Sequence, residues 1–167
     1  NKLNLFNQTE KYLTEYLALQ PKDTKIQLLL ANIYLTNNKP EEALVLLKNL
    51  QATTDGFSNT DGSSNSAERG ETLMLLGSAH LALEEYSKGF ELLNKARILA
   101  PDNPNIRDRL VGEQIRSGDI NSAINELESG SFLDKNALKN SSILIGSYIM
   151  QGQYKKAEKR LKPALLA

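Results

Sequence analysis

An all-α solenoid of antiparallel helix pairs is the fold this sequence predicts, on three observations. Apolar residues recur at helical spacing, as in Leu28, Leu29, Leu30, Ile33, Tyr34 and Leu35, then Ala43, Leu44, Leu46, Leu47 and Leu50, while strand-like alternation is nearly absent. Short polar clusters punctuate these runs: Asn37-Asn38-Lys39-Pro40, Pro101-Asp102-Asn103-Pro104, Ser117-Gly118-Asp119 and Gln151-Gly152-Gln153. The chain also repeats itself every 34 residues.

The elements follow from that period. Residues 1–22 hold Leu13, Tyr16, Leu17 and Pro21, the pattern of the second helix of a pair without room for a complete first helix. A full pair at 23–51 supplies Leu30, Ala31, Tyr34, Ala43, Leu47 and Leu50. The next copy begins 46 residues on, one period plus a 12-residue insertion. The extra length falls in Gln51–Glu68, rich in Thr, Asp, Gly, Ser and Asn, so an irregular polar loop is expected over 52–67. Pairs at 68–103, 104–137 and 138–167 complete the array, with Leu76, Leu110 and Leu144 in one column and Gly77, Val111 and Ile145 in the next. Gly89, Ala123 and Ala157 form a third column, and Leu93, Leu127 and Leu161 a fourth. Small residues let helix backbones approach, and the larger Leu or Tyr fills the space beside them. Asn38, Asn103 and Asp119 are the expected N-caps, with Pro40 or Pro104 in the first turn and Glu41 and Glu42 favourably placed near the helix dipole. Pro163 predicts a kink or an early end to the last helix.

These columns resemble the tetratricopeptide repeat, in which Leu-small-x-x-aromatic marks the first helix and small, large and small residues mark the second. The signature stands as Leu30-Ala31-x-x-Tyr34, Leu76-Gly77-x-x-His80, Leu110-Val111-x-x-Gln114 and Leu144-Ile145-x-x-Tyr148, with Ala96 and Pro101, Gly130 or Ala164 further along. Gln114 in the aromatic column, and Val111 and Ile145 in the small one, depart from it. The resemblance implies a right-handed superhelix whose concave groove is lined by the first helices. Groove positions expected one helical step from the packing columns are Lys25, Leu28, Asn32 and Leu35, then Glu71, Met74, Ser78 and Leu81. Asn105, Asp108, Gly112, Ile115 and Arg116 follow, then Lys139, Ser142, Gly146 and Ile149. Leu28 and Met74 stand where a carboxylate clamp for a chaperone tail would need polar or cationic groups, so an apolar helix or extended peptide is the expected occupant. The run Gly118–Glu128, with Gly152–Ala157, also looks like the bacterial tetratricopeptide lipoproteins associated with exopolysaccharide production and sorting of surface proteins carrying a PEP-CTERM signal. That likeness implies an extracytoplasmic place, periplasmic or membrane-anchored through a preceding segment.

Composition narrows the chemistry. Twenty Lys+Arg balance twenty Asp+Glu, which argues against a nucleic-acid partner. Without Cys, and with one His, disulfide frameworks, zinc sites and thiol nucleophiles have no parts, so neither a cofactor nor a catalytic role is expected. His80 occupies the aromatic column and is read as a packed imidazole. Glu84-Glu85 and Glu41-Glu42 are read as solvated helix starts. The segment Asp55–Gly62 resembles a calcium loop only superficially, since its acid spacing fails and no closing Glu follows at the required distance. Phe57, the aromatic there, either pins the loop or touches a partner. Residues 134–167 carry a net charge of +5 against −5 upstream, read as a solvated basic face with an acidic partner as its functional alternative. No apolar stretch reaches the roughly 18 residues of a membrane span. The chain opens without Met and closes on a second helix, so an excerpt from a longer solenoid is expected. The functional expectation is a scaffold for a protein or peptide partner; the alternative is a spacer or self-associating array, a homo-oligomer through exposed repeat ends.

Overall fold

The computed structural model describes residues 2–55, 64–129 and 137–164, with side chains over 5–52, 66–129 and 140–161. Among these residues the chain is all α, in consecutive pairs: α1 (Lys2–Leu19), α2 (Thr24–Thr36), α3 (Pro40–Asp55), α4 (Ser64–Ala82), α5 (Tyr86–Leu99), α6 (Pro104–Arg116), α7 (Ile120–Ser129), α8 (Ala137–Met150) and α9 (Tyr154–Ala164). Two compact units divide it, Asn1–Ile106 and Arg107–Ala167.

The turn within each pair has one design. Asn38, Glu84, Gly118 and Gly152 occupy the left-handed region at φ 56°, 62°, 83° and 67°. The following N–H reaches back to the carbonyl of the aromatic column: Lys39 to Tyr34 at 2.8 Å, Glu85 to His80 at 2.9 Å, Asp119 to Gln114 at 2.8 Å and Gln153 to Tyr148 at 2.8 Å. This satisfies carbonyls that a helix end leaves orphaned and reverses the chain in three residues. Asn38 is therefore the left-handed turn residue and not the N-cap expected of it. Asp119 does cap α7, accepting from Ser122 N–H at 3.2 Å, and Asn103 accepts from Asn105 N–H at 3.0 Å. Asp23 caps α2 through Ile26 N–H, a cap the sequence reading had not assigned.

In the first unit, Leu30, Ala31, Ala43, Leu47, Leu50, Leu76, Leu93 and Ala96 are buried, and α4 packs against α2, α3 and α5 together. Backbone-to-backbone approach is closest between α4 and α5: a Cβ at Gly77 would lie 2.9 Å from the Gly89 carbonyl oxygen, and one at Gly89 only 2.5 Å from the Leu81 side chain. α1 packs on α2, with Leu13 and Leu17 half-buried, and Glu10 ties it to the turn that follows α2. The Glu10 carboxylate takes the Lys39 ammonium at 2.7 Å and the Asn37 amide at 2.9 Å, and the Lys39 hydrogen bond holds its pKa below the usual carboxylate value. In the second unit, Val111, Ile120, Ala123, Ile124, Leu127, Leu144, Tyr148 and Ala157 form one core.

One expectation about local structure is corrected. The insertion expected as loop over 52–67 is helical at both ends, because α3 runs to Asp55 and α4 starts at Ser64. The packed ends of those helices propagate hydrogen bonding outward through residues that are poor helix formers alone. Phe57 lies outside the described residues, as do all but the first residue of the segment weighed as a calcium loop. α9 is helical across Pro163, to Ala164.

Candidate functional site

The outward faces of the first helices are the surfaces to build from. On α2, Lys25, Leu29, Asn32 and Thr36 are exposed, a stripe spaced four, three and four residues apart. Leu29 is 44% exposed, whereas the neighbouring Leu28 is only 4% exposed. Each residue turns the helix by about 100°, so the expected stripe through Leu28 and Leu35 leans into the packed side. Leu28 is a core residue, and Leu35 is half-buried.

α4 offers no such stripe. Met74, Ser78 and Leu81 are buried, Glu71 is half-buried, and the Ser78 hydroxyl donates to the Met74 carbonyl at 2.8 Å. The helix is enclosed because three helices pack on it, which its own periodicity could not disclose. These three residues are removed from any open binding surface.

On α6, Asn105, Gly112 and Arg116 are exposed while Asp108 and Ile115 are half-buried. On α8, Ser142 and Ile149 are exposed and Gly146 is half-buried; the side chain of Lys139 lies outside the described residues. Gly112 and Gly146 share a repeat column, and among the described residues a Cβ built on either would meet nothing within 4 Å. Met150, 65% exposed, extends the α8 surface and was not foreseen.

The sequence reading also missed Glu113. Its side chain is 7% exposed, in a column held by Ala79 and Ser147, and it faces Arg116 Nη1 at 3.0 Å and Arg109 Nη1 at 3.8 Å. A charged residue in a small-residue column was the available signal. A buried carboxylate requires such partners, because desolvation would otherwise outweigh anything it contributes. Its effect is to orient Arg109 and Arg116 on either side of Gly112.

The aromatic column does structural work. His80 is 3% exposed and its Nδ1 lies 2.6 Å from Glu85 Oε2. Glu84 is the left-handed turn residue and Glu85 the N-cap of α5, without a side-chain cap bond, so the carboxylate expected as a solvated helix start is instead held to the imidazole. In the second unit the Tyr148 hydroxyl donates to Glu128, and Lys156 Nζ sits 5.5 Å from the ring centroid. Burial, with the Glu128 hydrogen bond and charge, pushes the phenol up to about 12. Among the described residues no group of three or more His, Asp or Glu could hold a metal ion, and no helix is long and apolar enough to cross a membrane.

Comparison with known proteins agrees with the helix-pair architecture. Residues 4–58 match the family model of the tetratricopeptide repeat. No curated protein matches the sequence. Among solved structures, MamA superposes with a TM-score of 0.67 at 19% identity, over 96% of this chain and 86% of MamA. MamA of AMB-1 gives 0.64 at 21% identity, over 98% and 89%. Nearly identical TPR-like repeats assigned to a kinesin light chain of Podosopora anserina give 0.64 at 18% identity, over 96% and 90%. At these identities the likeness establishes the fold, an all-α, TPR-like succession of paired helices.

Proposed function

We propose that this chain is a non-enzymatic interaction scaffold that holds a peptide or helix of a partner protein on the outward stripes of the first helices of its second unit: Gly112 and Arg116 on α6, and Ser142, Gly146 and Ile149 on α8. The observation that carries this reading is the pair Gly112 and Gly146. Glycine inside a helix costs about 1 kcal/mol relative to Ala. It is usually retained for close packing, yet among the described residues nothing lies within 4 Å of a Cβ built at either position. A smooth spot on an otherwise ordinary helix lets another chain approach the backbone. The mixed composition of these stripes, with Arg116 on α6 and Ile149 on α8, suits a segment that is partly apolar. A protein partner is also the general use of tetratricopeptide repeats, which the match over residues 4–58 supports.

The class of partner is a protein segment, with no export pathway attached. The run Gly118–Glu128, which resembles bacterial lipoproteins, is accounted for locally by the left-handed Gly118 and the Asp119 cap of α7. The test compares crosslinked capture from the source cell by the chain and by its Gly112→Leu, Gly146→Leu double variant. Loss of specific captured species with unchanged helicity is expected; an identical capture profile overturns the reading.

A further inference from the structure

Glu113 is costly where it stands. Its column holds Ile33 in α2, Ala79 in α4 and Ser147 in α8, all buried and none of them charged. Here a carboxylate enters the interior, its side chain 7% exposed, with two guanidiniums beside it. An uncharged residue would serve folding as well or better. What the carboxylate does is fix Arg116: Glu113 Oε2 takes Arg116 Nη1 at 3.0 Å, while Oε1 lies 3.8 Å from Arg109 Nη1. Arg116 stays 73% exposed in that pair, so most of its planar fork of donors is open. A long side chain on a helix leans over the preceding turn, toward the residue four positions back. For Arg116 that residue is Gly112, where the backbone carries no side chain. A segment laid on Gly112 therefore meets a guanidinium already held, and less rotamer freedom is lost on engaging it.

We infer that Arg116 is the specificity-determining residue of the surface proposed above, and that it reads an aspartate or glutamate side chain in the partner segment. The inference rests on that proposed function and adds the chemistry of the occupant. Charge complementarity selects it. Between Arg107 and Arg116, three arginines stand against Asp108 and Glu113, and α8 carries Lys139 and no acidic residue. Glu113 faces two guanidiniums and can neutralise one, so the surface keeps a positive excess. A carboxylate is the planar acceptor that a guanidinium meets in two parallel hydrogen bonds, and an amide in its place offers one acceptor and no charge.

The test selects random peptides, displayed on phage and fused through their C-termini, on the immobilised 167-residue chain. No terminal carboxylate is then free, so an acid shared by the selected peptides is a side chain. Peptides that bind the chain and not its Gly112→Leu, Gly146→Leu double variant mark the proposed surface, and these should share an Asp or Glu. Exchanging that acid for its amide in a synthetic peptide should weaken binding about tenfold, read by fluorescence anisotropy. Arg116→Glu should lose the acidic peptide and prefer one with Lys in place of the acid. Circular dichroism checks that this variant folds. Should it unfold for want of a close partner to Glu113, Glu113→Ala combined with Arg116→Glu restores the residue type of Ala79 and carries the same expectation. Surface-dependent peptides without a shared acid, an amide peptide that binds as tightly, or an Arg116→Glu chain that keeps the acidic preference would each overturn this inference and leave the proposed function standing. Absence of any peptide that depends on Gly112 and Gly146 would overturn the proposed function, and this inference with it.

Discussion

Gly77 and Gly89 in the first unit and Gly112 and Gly146 in the second are the same residue in helices of the same architecture, put to opposite uses. The first two stand where α4 and α5 touch, with a Cβ at Gly77 meeting the Gly89 carbonyl at 2.9 Å and Leu93 at 3.0 Å. The second two have no such neighbour among the described residues, a Cβ at either meeting nothing within 4 Å. Composition cannot separate them, yet one pair is required by packing and the other lowers helix stability with no packing return. A residue retained against its local preference, without a neighbour to explain it, points outside the molecule.

The largest expected effect tests the packed half of that contrast. Gly77→Ala should destabilise the first unit by about 1–3 kcal/mol, read from urea unfolding, because the obstacle is partly backbone and cannot rotate away. A neutral result would mean the α4–α5 approach is looser than the distance implies. Next, Gly112→Ala and Gly146→Ala should each stabilise the second unit by up to about 1 kcal/mol, the opposite sign for the same substitution. Thermal unfolding measures this, and a loss of stability would show that an unseen neighbour occupies those positions.

The turns extend the comparison at smaller scale. Glu84 holds the left-handed position that Gly118 and Gly152 fill in the second unit. Glu84→Gly should stabilise the first unit by about 0.5 kcal/mol, the relief of left-handed strain less the greater freedom of glycine in the unfolded chain. Gly118→Ala should lose stability, and equal responses at the two turns would contradict their shared geometry.

A pH titration tests the aromatic column of the second unit. Tyr148 holds its proton to about 12, above the ordinary tyrosine value of 10.0, because burial and the Glu128 carboxylate disfavour the phenolate. A raised folded-state pKa contributes stability that is fully present below pH 10 and is lost as pH rises through the folded value. Phenolate absorbance should therefore develop last for Tyr148, and Glu128→Gln should advance it. Tyr148 titrating with the exposed tyrosines would show that the hydroxyl is not held as described.

Much of the fold was legible because repetition constrains it. Leu30, Leu76, Leu110 and Leu144 are all buried in the column where the period placed them, and so are Ala43, Gly89, Ala123 and Ala157. The fourth column holds for Leu47, Leu93 and Leu127 but not for Leu161, which is 43% exposed. Which residues face outward was less legible. Leu28 and Leu29 are chemically identical neighbours, and nothing in their order reveals which faces the core.

From the sequence alone follow the helix-pair architecture, the turn positions and the packing columns, because they depend on local periodicity, capping and turn chemistry that recur every 34 residues. Tertiary structure alone decided that α4 is enclosed by α2, α3 and α5 and that Glu113 lies buried between two arginines. Burial depends on which other elements arrive at a face. Periodicity describes a helix and cannot count its neighbours.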